Sequence, residues 1–475
     1  MPRALAFLRT AVLLLAIPLL AFGAAAAVRR LAAPGACAAA PAAEPAPGPR
    51  PRLPGRLGAM SAPPAGPCGV VGIAPPAQAL AVATGAAGLA LLTLIAAAGA
   101  LAGRGPAALG LLFGPVLVGT NVAVVGLTAV QGILLIAAAA LFGAAVALPY
   151  SSLMLFGLAV AIVFGIGSML QVTLRLVRRA AVVEPTVVVE RREYPGIWRF
   201  VEEQAAGAGA PLPDRVVAGL RPAVYVTGAA IRGAAGRPRR LRGTTLHLSL
   251  TLARILRPDE LRALVRHELT HLRGEDGHLT RALYPLYTGT RVPLEVVGER
   301  IGSTENLPAL PAYAVFVFLY EAFEGAATAV TRRREAAADA AAAGGCPPVL
   351  AGALVKAHAF PRYWRRTLAL RRDALARTGT APGLGVLFGR AAEENRDSSW
   401  LRRDLDESEL PHPTDVHPPL RERLAALGLT LDAVAGAAFD VTPAEPATAL
   451  LPGYEALEAT LDGLEQSLPD PLRPL

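Results

Sequence analysis

The chain has 475 residues, a net charge of +9 and a hydrophobic fraction of 53%. That is too apolar for an ordinary soluble enzyme of two or three domains, and the excess lies mostly before residue 180, so part of the chain is expected in a membrane. The charge is carried almost wholly by arginine, Lys356 being the only lysine; the arginines are scattered and aromatics are 5% of the residues, which offers no stacking platform and argues against a nucleic-acid partner.

Met1–Arg9 is a short basic start, and Thr10–Ala27 is an apolar run that suits either a signal-peptide core or a first membrane helix. Residues 28–76 are rich in Pro, Ala and Gly without apolar periodicity and read as a linker. Cys37 and Cys68 lie in this stretch and could pair in an oxidising compartment; neither they nor Cys346 have the spacing of a zinc site. Ala77–Ala102 carries no charge and is long enough to cross ~30 Å of hydrocarbon. From Gly105 the next charge is Arg175, which as helix would extend about 100 Å and must be more than one crossing. We expect one piece over 106–130, a last crossing over 151–174 beyond Pro149, and between them a stretch over 131–148 that either crosses or lies against the others. Arg175, Arg178 and Arg179 follow the last span and place the next domain in the cytoplasm of a multi-pass cell-membrane protein. Four spans then put Arg3, Arg9 and Arg104 on that same side and the cysteine-bearing loop outside. Five would move Arg104 and the amino terminus outside.

From Ala180 the composition becomes that of an α+β domain, mainly α. Pro185–Glu190 is β-branched, Tyr194–Ala206 reads as an amphipathic helix, and Arg215–Val226 with Thr244–Leu250 as a strand pair. Arg232, Arg237, Arg239, Arg240 and Arg242 crowd a Gly/Pro loop between them, read as a solvated hairpin tip with anionic lipid contact as the alternative. The strands lead to R-A-L-V-R-H-E-L-T-H-L-R-G-E-D at 262–276. His267 and His271 are four residues apart, so a helix returns them to one face, where two imidazoles can share a metal ion. Glu268, turned by roughly 100° from His267, can reach a metal-activated water without being a ligand. Pro258, Asp259 and Glu260 suit the helix start, Leu261, Leu264, Val265 and Leu269 give it an apolar stripe, and Gly274 is its expected stop. The pattern is the H-E-x-x-H of a zinc hydrolase.

A long helix is expected over 309–343. Glu321, Glu324 and Glu335 fall near one of its faces, and spacing alone does not choose among them. Glu335 is preferred as third metal ligand because Asp339, one turn on, can orient a ligand histidine. Further on, P-H-P-T-D-V-H-P-P-L-R-E-R presents His412, His417, Arg421 and Arg423 at a turn into a helix. These can serve an oxyanion or simply cap and solvate. His247, His278 and His358 read as structural, and the tail from 426 as helical with proline breaks.

Three motifs in order, H-E-L-T-H at 267–271, R-R-R-E-A-A-A-D at 332–339 and H-P-P-L-R-E-R at 417–423, resemble the HtpX and CAAX prenyl protease family of membrane zinc metallopeptidases over roughly residues 180–425. The resemblance implies a gluzincin fold with His267, His271 and Glu335 on one Zn2+, Glu268 as general base, Asp339 behind a ligand, and His417 with Arg423 near the scissile group. Thr270 stands where the family often has a small residue. The expected organisation is a signal peptide or first span over 1–27, a linker over 28–76, transmembrane helices over 77–179, a zincin-like metallopeptidase domain over 180–425 and a helical tail over 426–475. The expected function is zinc-dependent endopeptidase action on protein or peptide substrates at the lipid bilayer. The rival reading is a multi-span transporter or sensor with a non-proteolytic zinc domain, against which stands the near absence of intramembrane ionisable groups.

Overall fold

The computed structural model describes residues 2–32, 67–146, 181–232, 240–241, 243–283, 310–396 and 417–467, with a few isolated positions between them. The chain divides into two compact units, one of Met1–Leu101, Leu112–Val177 and Arg291–Glu324, the other of Ala102–Leu111, Arg178–Thr290 and Gly325–Leu475.

The first unit is built from α1 (Pro2–Leu31), α2 (Ala74–Ala102), most of α3 (Pro106–Ala145) and the apolar start of a later helix, Leu310–Ala343. Among the described residues, four helices are long and apolar enough to cross a membrane: Ala4–Leu31, Pro67–Ala102, Pro106–Ala145 and Leu310–Ala343. The first three match the expected apolar segments, but the expected division of 106–148 near residue 130 does not occur, because α3 runs unbroken for 40 residues, about 60 Å at 1.5 Å per residue. Gln131, which interrupts the apolar run in the sequence, is buried, and its Nε2 donates to the Leu14 carbonyl of α1 at 2.9 Å. The polar side chain therefore ties two helices together instead of ending one. Within this unit Gly99 lets α2 approach the later helix, since a Cβ there would stand 2.5 Å from the Ala322 carbonyl oxygen. The expected last crossing at 151–174, Pro149, Cys37 and the tip of the arginine loop lie outside the described residues or mostly so. Cys346 is a free, exposed thiol.

In the second unit the strands are short: β1 (Ala181–Val183), β2 (Thr186–Val188), β3 (Arg215–Gly219), β4 (Tyr225–Thr227), β5 (Ala230–Arg232), β6 (Arg240–Leu241) and β7 (Thr245–Ser249). They form a four-stranded sheet in the order β2-β3-β7-β4 and a three-stranded sheet in the order β1-β5-β6. The expected strand 215–226 is two strands: β3 is parallel to β7 and β4 antiparallel to it, with Pro222 between them. β5 and β6 are antiparallel neighbours.

Alternation along the sheet sends Val216, Ala218, Val226, Leu246 and Leu248 into the main apolar core. There they meet α4 (Pro195–Ala208), α5 (Leu250–Ile255), α6 (Pro258–Thr270) and α8 (Pro347–Ala359); α7 is Leu310–Ala343. The tail expected as a separate segment shares this core: Phe439, Val441, Leu457 and Leu461 are buried in it. Ala447 N donates to Leu256 O at 2.8 Å, and Arg254 meets Glu458 at 2.6 Å. Lys356 is fully buried on α8, its Nζ 3.0 Å from Ile255 O and 2.9 Å from Glu260 Oε2.

Candidate metal centre

The centre is assembled from α6, the part of α7 beyond Gly325, and His417 with the following α9 (Leu420–Ala426), residues that all lie within the second unit. Helix α6 begins at Pro258, with the Glu260 carboxylate accepting from Arg257 N at 2.8 Å, so that a free amide of the first turn is satisfied. It ends four residues before the expected stop. Thr270 is its last residue, His271 caps it in a still-helical conformation, and Gly274 at φ 46° begins the next short helix instead. His271 thus keeps its one-turn relation to His267. The Leu261, Leu264, Val265 and Leu269 stripe is buried as expected, and so are His267, Glu268 and His271.

The two imidazole Nε2 atoms are 3.3 Å apart. Glu335 on α7 comes to 3.1 Å from His271 Nε2 through Oε1 and to 3.4 Å from His267 Nε2 through Oε2. One donor atom from each of the three lies within 4.8 Å of the others, so together they could hold a metal ion. The other two glutamates on α7 are elsewhere: Glu321 sits 3.8 Å from Arg9 in the first unit, and Glu324 is exposed.

The spacing suits a metal ion. A tetrahedral ion with ligand bonds of ~2.0–2.1 Å separates neighbouring donors by about 3.3 Å, close to the 3.3 Å between the two imidazole nitrogens and the 3.1 Å from His271 Nε2 to Glu335 Oε1. Glu335 Oε1 is buried without a hydrogen-bond donor, an orphaned acceptor that a cation would satisfy. Its other oxygen is held by His417 Nδ1 at 2.7 Å.

Behind the donors lies a charged layer. Asp339 Oδ1 is 2.9 Å from His267 Nδ1, which directs the Nε2 lone pair at the centre. Arg423 grips Asp339 with two hydrogen bonds, Nε to Oδ2 at 2.9 Å and an Nη to Oδ1 at 2.5 Å, and the same Nη borders His267 Nε2 at 3.2 Å. Burial and Arg423 push the His267 pKa down, but Asp339 and Glu335 outweigh them and it rises to about 9. A cation binding there must displace a proton. His358 is the opposite case, pushed down to about 3 by burial and Arg423, with Nδ1 donating to Leu354 O at 2.6 Å. Burial works against the Arg423 charge, but Asp339 and Glu335 outweigh it and push the guanidinium above its ordinary value.

Of the expected residues, His267, Glu268, His271, Glu335, Asp339, His417 and Arg423 are therefore gathered in one buried cluster, while His412 lies outside the described residues. Two participants were not foreseen. The backbone N of Val226 on β4 donates to Glu268 Oε2 at 3.1 Å, a contact no side-chain pattern announces. Arg334, visible in the sequence only as one of three consecutive arginines, is buried and places an Nη 3.2 Å from His271 Nδ1 and 3.1 Å from Thr280 Oγ1. One imidazole is backed by a carboxylate, the other by a guanidinium.

Comparison with known proteins gives one assignment. No curated protein and no solved structure matches the chain. The model of peptidase family M48 matches residues 193–430, which spans α4 to α9 and every residue of the cluster. The chain belongs to peptidase family M48, the HtpX and CAAX protease type of metallopeptidase.

Proposed function

We propose that the protein is a membrane-bound, zinc-dependent endopeptidase with one Zn2+ per chain held by His267, His271 and Glu335. The observation that carries this reading is a buried donor set in which the two imidazole Nε2 atoms are 3.3 Å apart, with Glu335 Oε1 3.1 Å from His271 Nε2 and itself without a hydrogen-bond partner. A zinc ion bound there would supply Lewis acidity, lowering the pKa of a water toward ~7 and polarising the scissile carbonyl.

The chain's own groups do the rest. Glu268, one oxygen fixed by the Val226 amide, takes a proton from the attacking water and returns it to the leaving amine. His417, anchored to Glu335, is assigned to the side of the developing oxyanion. Arg423 acts through Asp339, which takes up two of its N–H groups. No covalent acyl-enzyme is required. The apolar helices tether the site to the bilayer, and the arginines at 175, 178 and 179 favour its cytoplasmic face. Proteins and peptides are the substrates.

The test is casein hydrolysis by the detergent-solubilised full chain, with and without chelator. Glu268→Gln should keep its metal and lose about 10²–10⁴-fold in rate. Cleavage that continues at the normal rate in that variant would remove the mechanism.

A further inference from the structure

A second buried polar group lies on the opposite face of the sheet, outside the metal cluster. The Tyr225 hydroxyl on β4 donates to Glu184 Oε1, and its ring stacks on His247 of β7 at 4.7 Å between centroids and 7° between planes. His247 Nδ1 donates to Ala223 O at 2.8 Å, and its Nε2 is 3.5 Å from Glu184 Oε1. Arg221 approaches the same carboxylate at 3.7 Å. All three side chains are buried, an arrangement that costs free energy unless its polar groups are paired. Burial pushes the Tyr225 hydroxyl up, so it stays a donor, and pushes His247 down, so it stays neutral. The backbone makes room for the ring: a Cβ on Gly219 of β3 would stand 2.2 Å from His247 Nε2.

The consequence lies one residue along. Tyr225 and His247 are register partners across β4 and β7, and the next residue of β4 is Val226, whose amide holds Glu268. Strand β4 is three residues long and outermost among the described strands of its sheet, so few ladder bonds fix its position. We propose that Tyr225, Glu184 and His247 are positioning residues for the general base: they lock β4 in register so that the Val226 amide keeps the Glu268 carboxylate aimed at the centre. The activity arm of the test rests on the peptidase reading; the structural arm does not.

Tyr225→Phe in the full chain removes only the hydroxyl. Hydrogen exchange at the Val226 amide should quicken at least tenfold, bound zinc should stay at the wild-type ratio, and kcat should fall roughly tenfold with KM within twofold, the pattern of a misaimed catalytic group. Glu184→Gln, which keeps an acceptor for the hydroxyl, should stay near wild type, and Glu184→Leu should behave like Tyr225→Phe. The Glu184 pair reads the same point if Tyr225→Phe does not fold. Wild-type Val226 exchange and kcat in Tyr225→Phe and Glu184→Leu would overturn the proposal, as would a kcat loss that tracks loss of zinc. If the wild-type chain cleaves nothing, the peptidase reading fails, and the exchange measurement alone decides whether the bracket holds β4.

Discussion

Replacing Lys356 by Met should destabilise the second unit by about 3 kcal/mol at neutral pH, and the penalty should shrink in acid. Lys356 Nζ is the counter-charge of Glu260, and both side chains are fully buried. Removing one partner of such a pair costs about 3–5 kcal/mol, because the other is left as an uncompensated charge. Glu260 would retain Arg257 N at 2.8 Å and the Arg257 guanidinium at 3.6 Å. It can also escape by taking up a proton, which at pH 7, about 2.5 units above an ordinary carboxylate, costs about 3.4 kcal/mol at 1.36 kcal/mol per unit. That sets the ceiling near neutrality. Burial already pushes Glu260 up despite Lys356 and Arg257, and the substitution pushes it further. A carboxyl raised in the folded state binds a proton the unfolded state has released, so the penalty is small near the ordinary carboxylate pKa and grows with pH up to the raised value, by about 1.4 kcal/mol per unit. Thermal unfolding in detergent, followed by tryptophan fluorescence at pH 5.5 and 7.5, would read a Tm drop of about 6–12 °C at the higher pH and a much smaller one at the lower. Lys356→Met with Glu260→Gln should recover most of it. A single variant within about 0.5 kcal/mol of wild type, or a penalty independent of pH, would refute the reasoning.

Asp339→Asn should weaken zinc binding about 10–100-fold in chelator competition and lower Tm as well, since Arg423 loses its two-point partner. His358 has a folded pKa pushed below its unfolded value of about 6.5, so the stability it contributes is present above pH 6.5 and lost on acidification toward 3. Between pH 8 and 5.5 this amounts to about 1.4 kcal/mol, which His358→Leu should abolish in a comparison of the two pH–stability curves. His271→Ala should leave the chain without bound metal by elemental analysis of the purified protein.

The histidine pair of the candidate site was legible because helical periodicity alone fixes where residues i and i+4 point, and His267 and His271 meet that condition even with His271 at the cap. Glu335 was legible only through Asp339, since Glu321, Glu324 and Glu335 share a spacing and only packing separates them. What escaped has a common cause. The Val226 amide, the stacking of Tyr225 on His247, and the seat of Lys356 beneath Glu260 are contacts over 22 to 96 residues of sequence, set by strand register and helix packing, with no local signature. The division of 106–148 near residue 130 failed in the same way: the contact that ties α3 to α1 there, Gln131 Nε2 to the Leu14 carbonyl, spans 117 residues of sequence. The helix over 309–343 was assigned whole to the domain over 180–425, whereas Leu310–Ala343 is also long and apolar enough to cross a membrane.

Elemental analysis of the full chain, purified without chelator and without added metal, bears most directly on the centre. One zinc per chain, removed by chelator together with casein cleavage and restored with it, is the expected result. A folded preparation free of zinc that still hydrolyses casein, or one that binds zinc equally well with Glu335→Ala and His271→Ala, would contradict the assignment of the donor set.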